Sequence, residues 1–356
     1  MTIFIFFLIY ASVPWLLNIA AVNYFFYGLL LLFGITQVAK VRPVIANLYR
    51  NAVPKNVRLT IVIPVYNEAE NLPALLENLD VNKHEHVSYL FINDASTDNS
   101  AEIIHQHGYT VHTVPKQKYV CDVLNIGAIL APDESNYIGV LNGDCLLASN
   151  AIEKVMDRLT WYSIDVLNMS NHALPCGNFF ANLEKKFKNA LSVYCEASLT
   201  NGYFLPRTLL KTGWASITED LHMTLQLKAK GIKIYQDPDI IVYDSVPKEW
   251  HTFFRQKYRW IYGDMTNRLM VPPRNLFDLI VNIYYFFPVY TLLSFMPGVP
   301  TENILTIQGG IIFLEIMLYI SYIENIFEAL LYGPFQFLFQ VYFYLKLLKD
   351  GKNIKW

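Results

Sequence analysis

The chain has 356 residues, of which 53% are hydrophobic, and its formal net charge is -2. The hydrophobic fraction is high for a soluble protein, and the small net charge gives no signature of polyanion binding, so nucleic acid is not a favoured partner. The four cysteines form no Cys-x-x-Cys pair and no Cys/His cluster. They are predicted to be reduced structural thiols in a cytosolic setting.

An apolar segment covers residues 1–39 and carries no charged side chain before Lys40. As a single helix it would be about 55 Å long, nearly twice the thickness of a bilayer core. A transmembrane helical hairpin is therefore predicted, with one tilted span as the alternative. The basic residues that follow place the next domain in the cytosol by the positive-inside tendency.

Residues 40–270 have the composition of an ordinary globular domain. Short β-branched runs alternate with helical patterns, which predicts a parallel sheet covered on both faces. The predicted strands are Leu59–Val65, Val87–Ile92, Thr110–Val114 and Tyr137–Leu141. A helical stretch is expected to open at Tyr66–Glu68, and another at Cys121–Leu130. Ser96 or Thr97 is expected to cap the helix after the second strand.

Acidic side chains follow three of these strands, namely Glu68, Asp94 and Asp144. In such sheets the ligand sits beyond the carboxyl ends of the strands. Three carboxylates at one edge repel each other unless a cation or donor groups offset their charge. Hard oxygen ligands suit Mg²⁺ or Mn²⁺, which bridge a diphosphate. The simpler interpretation of Glu68 is a helix cap, and the residues alone leave both open.

Two further motifs lie about forty residues apart, Thr218-Glu219-Asp220 and Gln256-x-x-Arg259-Trp260. One carboxylate is available to take a proton, and Arg259 is available to hold a departing phosphate. Trp260 offers a face on which a sugar can stack. Taken alone, Glu219 and Asp220 also suit the first turn of a helix, where acids complement the helix dipole. Arg259 also suits a cation that snorkels to a membrane interface.

Apolar runs cover roughly residues 276–298, 304–323 and 326–348, and lysines follow at the end of the chain. This pattern is typical of interfacial and transmembrane helices, which are predicted over residues 271–356. The first run is the candidate for the interfacial helix.

Together these motifs resemble the family 2 glycosyltransferases, specifically the membrane-embedded processive branch that contains the cellulose, chitin, hyaluronan and poly-N-acetylglucosamine synthases. The resemblance covers about residues 55–270, and residues 217–263 look closest to the poly-N-acetylglucosamine synthases. The matching segments are Ile63–Glu68, Asn93–Asp98, Asn142–Asp144, Thr218–Asp220 and Gln256–Trp260. The resemblance implies an α/β GT-A fold, a Rossmann-like nucleotide-diphospho-sugar transferase domain flanked by transmembrane and interfacial helices.

The resemblance also implies roles for individual residues. Asp220 is the expected catalytic base, with Glu219 as the next candidate, and Asp144 is the expected ligand of Mg²⁺ or Mn²⁺. The expected donor-binding residues are Pro64, Tyr66, Glu68, Asp94, Lys118, Asp144, Gln256 and Arg259. The expected acceptor-binding residues are Trp260, Asn201 and Gly202.

The chain departs from the family pattern at two places. Asn142 stands where the family has the first aspartate of Asp-x-Asp, so the metal is expected to be held by one side chain together with phosphate and water. Tyr119-Val120 stands where the family has Gly-Lys, so Lys116 or Lys118 is the candidate to reach the uridine.

The function that the resemblance implies is inverting transfer from a UDP-sugar, with UDP-N-acetylglucosamine as the first choice. The product would be a β-linked polysaccharide, elongated at the cytosolic face of a bacterial inner membrane or plasma membrane. The expected partners are the growing glycan or a lipid acceptor, membrane lipid and a secretion subunit. The alternatives are a non-processive enzyme that adds one sugar to a lipid carrier and an inactive membrane scaffold of the same fold.

Overall fold

The structure is a computed structural model that describes residues 50–174, 178–194 and 199–271, together with isolated positions between 328 and 349. The predicted membrane segment at residues 1–39 lies outside the described residues, and so does most of the one at residues 271–356. Within the described residues, no helix is both long enough and apolar enough to cross a membrane.

The chain divides into two compact units. One consists of Arg42–Phe253, and the other consists of Met1–Val41 with Phe254–Trp356. The Arg42–Phe253 unit contains the sheet described below.

An eight-stranded sheet forms the centre of the Arg42–Phe253 unit, counted over the described residues. In chain order its strands are β1 (Leu59–Val65), β2 (Val87–Asn93), β3 (Thr110–Thr113), β4 (Tyr137–Val140), β5 (Cys145–Leu147), β6 (Val166–Ala173), β7 (Tyr203–Pro206) and β8 (Ile234–Asp244). Their order across the sheet is β3-β2-β1-β4-β7-β6-β8-β5.

Seven α-helices are described along the chain, in addition to a 3-10 helix over Arg207–Thr212. They are α1 (Leu72–Val81), α2 (Ser100–Gln106), α3 (Val120–Leu130), α4 (Ala151–Trp161), α5 (Phe179–Tyr194), α6 (Glu219–Ala229) and α7 (Trp250–Met270). The last of these begins in one compact unit and ends in the other.

Both faces of the sheet are covered, as predicted, and β1 shows how its sequence achieves this. Successive side chains of a strand point to opposite faces. Ile61 and Ile63 pack in the cluster that contains the leucines of α1. Val62, between them, packs in the second cluster with Leu124 of α3. A continuous apolar run is what a strand buried on both faces requires.

The direction of the later strands differs from the prediction of a parallel sheet. Strands β1 to β4 pair in parallel, as expected. Strand β7 is antiparallel to both β4 and β6, and β5 is antiparallel to β8. The sheet is therefore mixed. A run of buried apolar residues reports burial on both faces and carries little information on strand direction, which is why the prediction was wrong here.

The first helix also begins later than predicted, at Leu72 instead of Tyr66–Glu68. Asn67 has a φ of 56°, in the left-handed region. Asparagine tolerates this conformation, but a helix cannot continue through it. Residues 66–71 therefore form a loop, and the leucine pattern of α1 starts only after it.

The predicted cap of the second helix is wrong. Helix α2 begins at Ser100 with Asn99 at the N-cap position, and the Asn99 side chain forms no capping hydrogen bond. The side chains of Ser96 and Thr97 instead form hydrogen bonds with Asn67, in the loop after β1.

Candidate active site

The loops that follow β1 and β2 are joined to each other by hydrogen bonds. The backbone amide of Asn67 donates to Oγ of Ser96 over 3.0 Å, and Oδ1 of Asn67 accepts from the amide of Thr97 over 2.8 Å. The amide of Ala69 donates to Oδ2 of Asp98 over 3.1 Å. We call these two loops, residues 66–71 and 95–99, the loop platform. It lies at the carboxyl ends of the two strands.

Two predicted donor-binding residues belong to this platform. The side chain of Tyr66 is exposed. Glu68 is half-buried, its backbone amide donates to Oγ of Ser100 over 2.9 Å, and its carboxylate accepts a 2.6 Å hydrogen bond from Asn71. Burial raises the pKa of Glu68, against the effect of the Asn71 hydrogen bond, and the charge of Asp98 raises it further.

Asp94, at the end of β2, is buried. Its carboxylate accepts a 2.8 Å hydrogen bond from the backbone amide of Lys118, and burial raises its pKa despite that bond. Its own amide donates to the carbonyl of Val65 at the end of β1. The structure thus brings the predicted residues Asp94 and Lys118 together through the backbone of Lys118, whose side chain is exposed.

The turn between β4 and β5 carries Asp144, immediately before Cys145. Burial raises the pKa of Asp144 to about 7, and the nearby charges of Asp244 and Glu68 add to the rise. At Gly143, a Cβ would lie 3.3 Å from the carbonyl oxygen of Pro64 and 3.4 Å from Cγ of Glu68. The predicted residues Pro64, Glu68 and Asp144 therefore converge on one point of the sheet edge.

Two charged residues at this point were missed by the sequence analysis. Asp244 ends β8 and forms an ion pair with Lys185 of α5, with 13% and 17% of the two side chains exposed, respectively. Asp244 also accepts a 3.3 Å hydrogen bond from Nδ2 of Asn201. An acid at the end of an apolar strand was a signal that could have identified Asp244. No comparable signal marks Lys185 within its helix.

The residues fit a single divalent cation held by few protein ligands. Within the described part of the chain, no group of three His, Cys, Asp or Glu side chains is placed to hold a metal ion. Asp144, Glu68 and Asp244 nevertheless interact as like charges, with Lys185 as the opposing cation. A divalent cation would relieve this repulsion, and Asp144 is the residue that would hold it, with diphosphate and water supplying the other ligands.

Glu219 and Asp220 occupy the first turn of α6. Burial raises the pKa of Tyr203 well above its usual range, and the nearby charges of Glu219 and Asp220 raise it further. Tyr203 pairs with Val140 at the end of β4. The two predicted acids therefore lie beside the same end of β4 that leads into the Asp144 turn.

The loop before these acids is fixed from two directions. Nε1 of Trp214 donates a 2.7 Å hydrogen bond to the hydroxyl of Tyr203. The side chain of Asn125, on α3, donates to the carbonyl of Trp214 over 2.9 Å and accepts from its amide over 2.8 Å. This amide bridge replaces backbone pairing for the loop segment that leads toward Thr218.

The predicted acceptor residues Asn201 and Gly202 lie directly before β7. Oδ1 of the buried Asn201 accepts a 2.8 Å hydrogen bond from the amide of Asn142. Gly202 has a φ of 75°, and a Cβ there would lie 2.7 Å from Sδ of Met169. Only glycine fits this position, because both the backbone conformation and the space exclude a side chain.

The remaining predicted residues, Gln256, Arg259 and Trp260, lie on α7 within the Phe254–Trp356 part of the second unit. Arg259 is exposed and Trp260 is half-buried. Nζ of Lys257 lies 5.8 Å from the centre of the Trp260 ring, within the range of a cation–π contact. Their assignment to the site stays a prediction.

Comparison with known proteins identifies two family models that match the chain. The model of Glycosyl transferase family 2 matches residues 60–218, and that of Glycosyl transferase family group 2 matches residues 156–344, more than half of the chain. The poly-beta-1,6-N-acetyl-D-glucosamine synthase of Staphylococcus aureus is 23% identical over 235 residues, covering 58% of this chain and 54% of the relative. The chain thus spans about half the length of that curated relative.

A second relative, glycosyltransferase GlyG of Streptococcus pneumoniae, is 25% identical over 129 residues, which cover 34% of this chain and 42% of the relative. Among solved structures, the mannosyltransferase PcManGT of Pyrobaculum calidifontis, in complex with GDP-Man and Mn²⁺, has a TM-score of 0.62 at 12% identity. It covers 96% of this chain and 100% of its own. The fold is a GT-A-like α/β fold with a mixed sheet, and the chain belongs to the family 2 glycosyltransferases.

Proposed function

We propose that the protein transfers a sugar from a UDP-sugar, with UDP-N-acetylglucosamine as the first choice, to the end of a growing β-linked polysaccharide. The observation that carries this proposal is the placement of Asp94 and Asp144 after the two strands that flank β1. Strands two apart in a sheet are roughly 10 Å apart, which an extended nucleoside diphosphate can span. The loop after β1, residues 66–71, begins between these two strands. The name of the Staphylococcus aureus relative supports the choice of sugar.

In this proposal each end of the donor has its own carboxylate. The buried Asp94 accepts a hydrogen bond from the uracil ring, with the Lys118 segment held beside it by the 2.8 Å bond from its amide. Asp144 lies at the diphosphate end, beside Glu68 and Asp244. A bound Mg²⁺ or Mn²⁺ would neutralise charge on the leaving diphosphate.

The chemical step needs one proton acceptor. The carboxylate of Asp220 takes the proton of an acceptor hydroxyl, and that oxygen forms a bond to the anomeric carbon. The bond between the anomeric carbon and the diphosphate oxygen breaks, and its electron pair leaves with UDP. Attack from the opposite face inverts the anomeric centre, so an α-linked donor gives a β-linked product.

The processive character, the membrane location and the secretion partner belong to the proposal as well. The motif Gln256-x-x-Arg259-Trp260 supports repeated addition, because the resemblance assigns it to processive synthases. The apolar segment at residues 1–39 supports anchoring, with the catalytic domain on the cytosolic side. The second candidate is transfer of one sugar to a lipid carrier, which the same catalytic residues could perform. An inactive scaffold is the third.

The test is a donor panel applied to the purified full-length chain in lipid nanodiscs. UDP-N-acetylglucosamine, other UDP-sugars and GDP-mannose are incubated with Mg²⁺ or Mn²⁺, nucleotide release is measured, and products are analysed by mass and by linkage-specific glycosidases. We expect UDP release and a β-linked polymer. A singly glycosylated lipid as the product would establish the second candidate, and no release with any donor would leave the scaffold.

A further inference from the structure

A chain of polar contacts connects the Asp144 turn to a charged pair on two other elements. Oδ1 of Asn201 accepts from the backbone amide of Asn142 over 2.8 Å, and Nδ2 of Asn201 donates to Oδ1 of Asp244 over 3.3 Å. The other oxygen of Asp244 forms the ion pair with Lys185. The path therefore runs from the turn through the segment before β7 and the end of β8 to α5.

Each member of this chain has a fixed role as donor or acceptor. The amide of Asn142 can only donate, so it needs an acceptor at residue 201. Lys185 can only donate, and its partner Asp244 can only accept while ionised. Asn201 is the side chain that satisfies both neighbours, because it accepts on one side and donates on the other. Its buried position makes an error in this pattern costly.

The same residues hold the turn on both sides of Asp144. Before it, Asn142 is held by Asn201. After it, Cys145 pairs with Asp244 in the antiparallel ladder of β5 and β8. Asp144 is therefore the middle of a short segment whose two ends are fixed to Asn201 and Asp244.

We propose that Asn201 and Asp244, with Lys185, are positioning residues that aim Asp144 at the metal and diphosphate of the donor. Asn201 then serves the donor side of the reaction and is not an acceptor-binding residue. The inference rests on the proposed function. It matters more in this chain because Asn142 leaves Asp144 as the single carboxylate of that motif, so a small displacement of the turn has no second ligand to compensate it.

The test exchanges the two side chains. Asn201→Asp places two carboxylates against each other. In Asp244→Asn the new side-chain NH₂ group faces a second donor, which is either the NH₂ group of Asn201 or the ammonium group of Lys185. In the double variant Asn201→Asp/Asp244→Asn each of the three contacts again has a donor and an acceptor, and only the bond between residues 201 and 244 reverses its direction. Asp at 201 accepts from Asn142, and Asn at 244 donates to it and accepts from Lys185. The net charge of the double variant equals that of the wild type.

The readout is Mn²⁺ binding in the presence of UDP, with GDP as a second nucleotide, measured by electron paramagnetic resonance of free Mn²⁺. We expect each single variant to weaken Mn²⁺ binding by about tenfold or more, the usual effect of losing a partner behind a metal ligand. The double variant should recover most of this loss. A purely electrostatic effect would instead strengthen binding in Asn201→Asp, which adds a negative charge, and weaken it in Asp244→Asn.

A matched control is Asn78→Asp. Asn78 also bridges a backbone amide and a carbonyl, those of Leu147 at the far end of β5, over 2.7 and 2.9 Å. This variant should lower the melting temperature and leave Mn²⁺ binding unchanged.

The two single variants and the double variant also give a kinetic readout. The KM for the acceptor should stay constant, while the requirement for Mn²⁺ and the KM for the donor change.

Three outcomes in the variants and one in the wild type overturn the positioning role. The three in the variants are opposite shifts in the two single variants, a double variant that folds with a wild-type melting temperature yet recovers nothing, and a change confined to the acceptor KM. A wild-type protein that binds no Mn²⁺ with either nucleotide also overturns it. If the wild type transfers no sugar but the exchange pattern in Mn²⁺ binding holds, the positioning role stands and the proposed function fails.

Discussion

Nε1 of Trp214 lies 2.7 Å from the hydroxyl oxygen of Tyr203, and both side chains are buried. The bond connects the loop before Glu219 and Asp220 to the strand that pairs with β4. Tyr203→Phe removes the acceptor and leaves the buried indole N–H without it. We expect the free energy of unfolding to fall by about 1–3 kcal/mol, measured by urea denaturation. A double-mutant cycle with Trp214→Phe is the control, and a coupling energy of zero would contradict the bond.

Asp220→Asn keeps the size of the side chain and removes its ability to take a proton. Transfer should fall by roughly a hundredfold or more, the usual scale for a general base, while nucleotide binding and the melting temperature are retained. Sugar transfer and UDP affinity are measured on the same preparation, with Glu219→Gln as the matched control. Near-normal transfer in Asp220→Asn would pass the base role to Glu219.

Removal of the metal should stop the reaction. We expect EDTA to abolish UDP release, and an excess of Mg²⁺ or Mn²⁺ to restore it. Asp144→Ala should weaken UDP binding in the presence of Mn²⁺ by at least about tenfold, the lower end of the cost of disturbing a metal site. Full activity in EDTA would show that Asp144 has a different role.

Trp260→Ala tests processive addition. An aromatic ring provides a surface on which a sugar stacks, and its loss should shorten the polymer while donor binding persists. Product mass and UDP affinity are the two measurements. Phe254→Leu is a control on the same helix, because Phe254 stacks on Phe339 at 4.7 Å within the same compact unit. An unchanged distribution of product length in Trp260→Ala would remove this residue from the acceptor site.

Asp98 links the two loops of the loop platform, and its pKa predicts how the stability of the protein depends on pH. Burial acts to raise that pKa, but hydrogen bonds from Ser100 and Ala69 outweigh it and hold it below the ordinary value of 3.8. A carboxylate with a lowered pKa contributes stability above its ordinary value, and the contribution is lost as pH falls through the folded-state value. Asp98→Asn should therefore lower the melting temperature at pH 7. The difference in melting temperature from wild type should shrink toward pH 3. An equal difference at pH 7 and pH 3 would argue against a stabilising contribution from the Asp98 carboxylate.

Much of the parallel half of the sheet follows from the sequence. The bounds of β1 match the prediction at both ends, and those of β2, β3 and β4 match to within one residue. These strands are short apolar runs between clear breaks, so burial and length suffice to identify them. Asp94 and Asp144 were predicted at strand ends for the same reason, and the structure places both there.

The rest depends on contacts between distant residues. The left-handed conformation of Asn67, which delays α1, is supported by two hydrogen bonds to residues about thirty positions away: the Asn67 amide donates to Ser96, and its side chain accepts from Thr97. The ion pair of Lys185 with Asp244 joins residues 59 positions apart. No local pattern encodes such pairs, because they form only after the order of strands has brought their elements together.

The loop platform has a consequence for how fast and how tightly a nucleotide binds. Its two loops are held together by hydrogen bonds from backbone amides to side chains, from Thr97 to Asn67 and from Ala69 to Asp98. A ligand that binds there has little backbone left to immobilise, so less of the contact energy is lost to ordering the chain. Association should then resemble the docking of a rigid surface, with an on-rate set by diffusion and orientation. Variants that loosen the platform should lower affinity for every nucleotide alike, without changing which base is preferred.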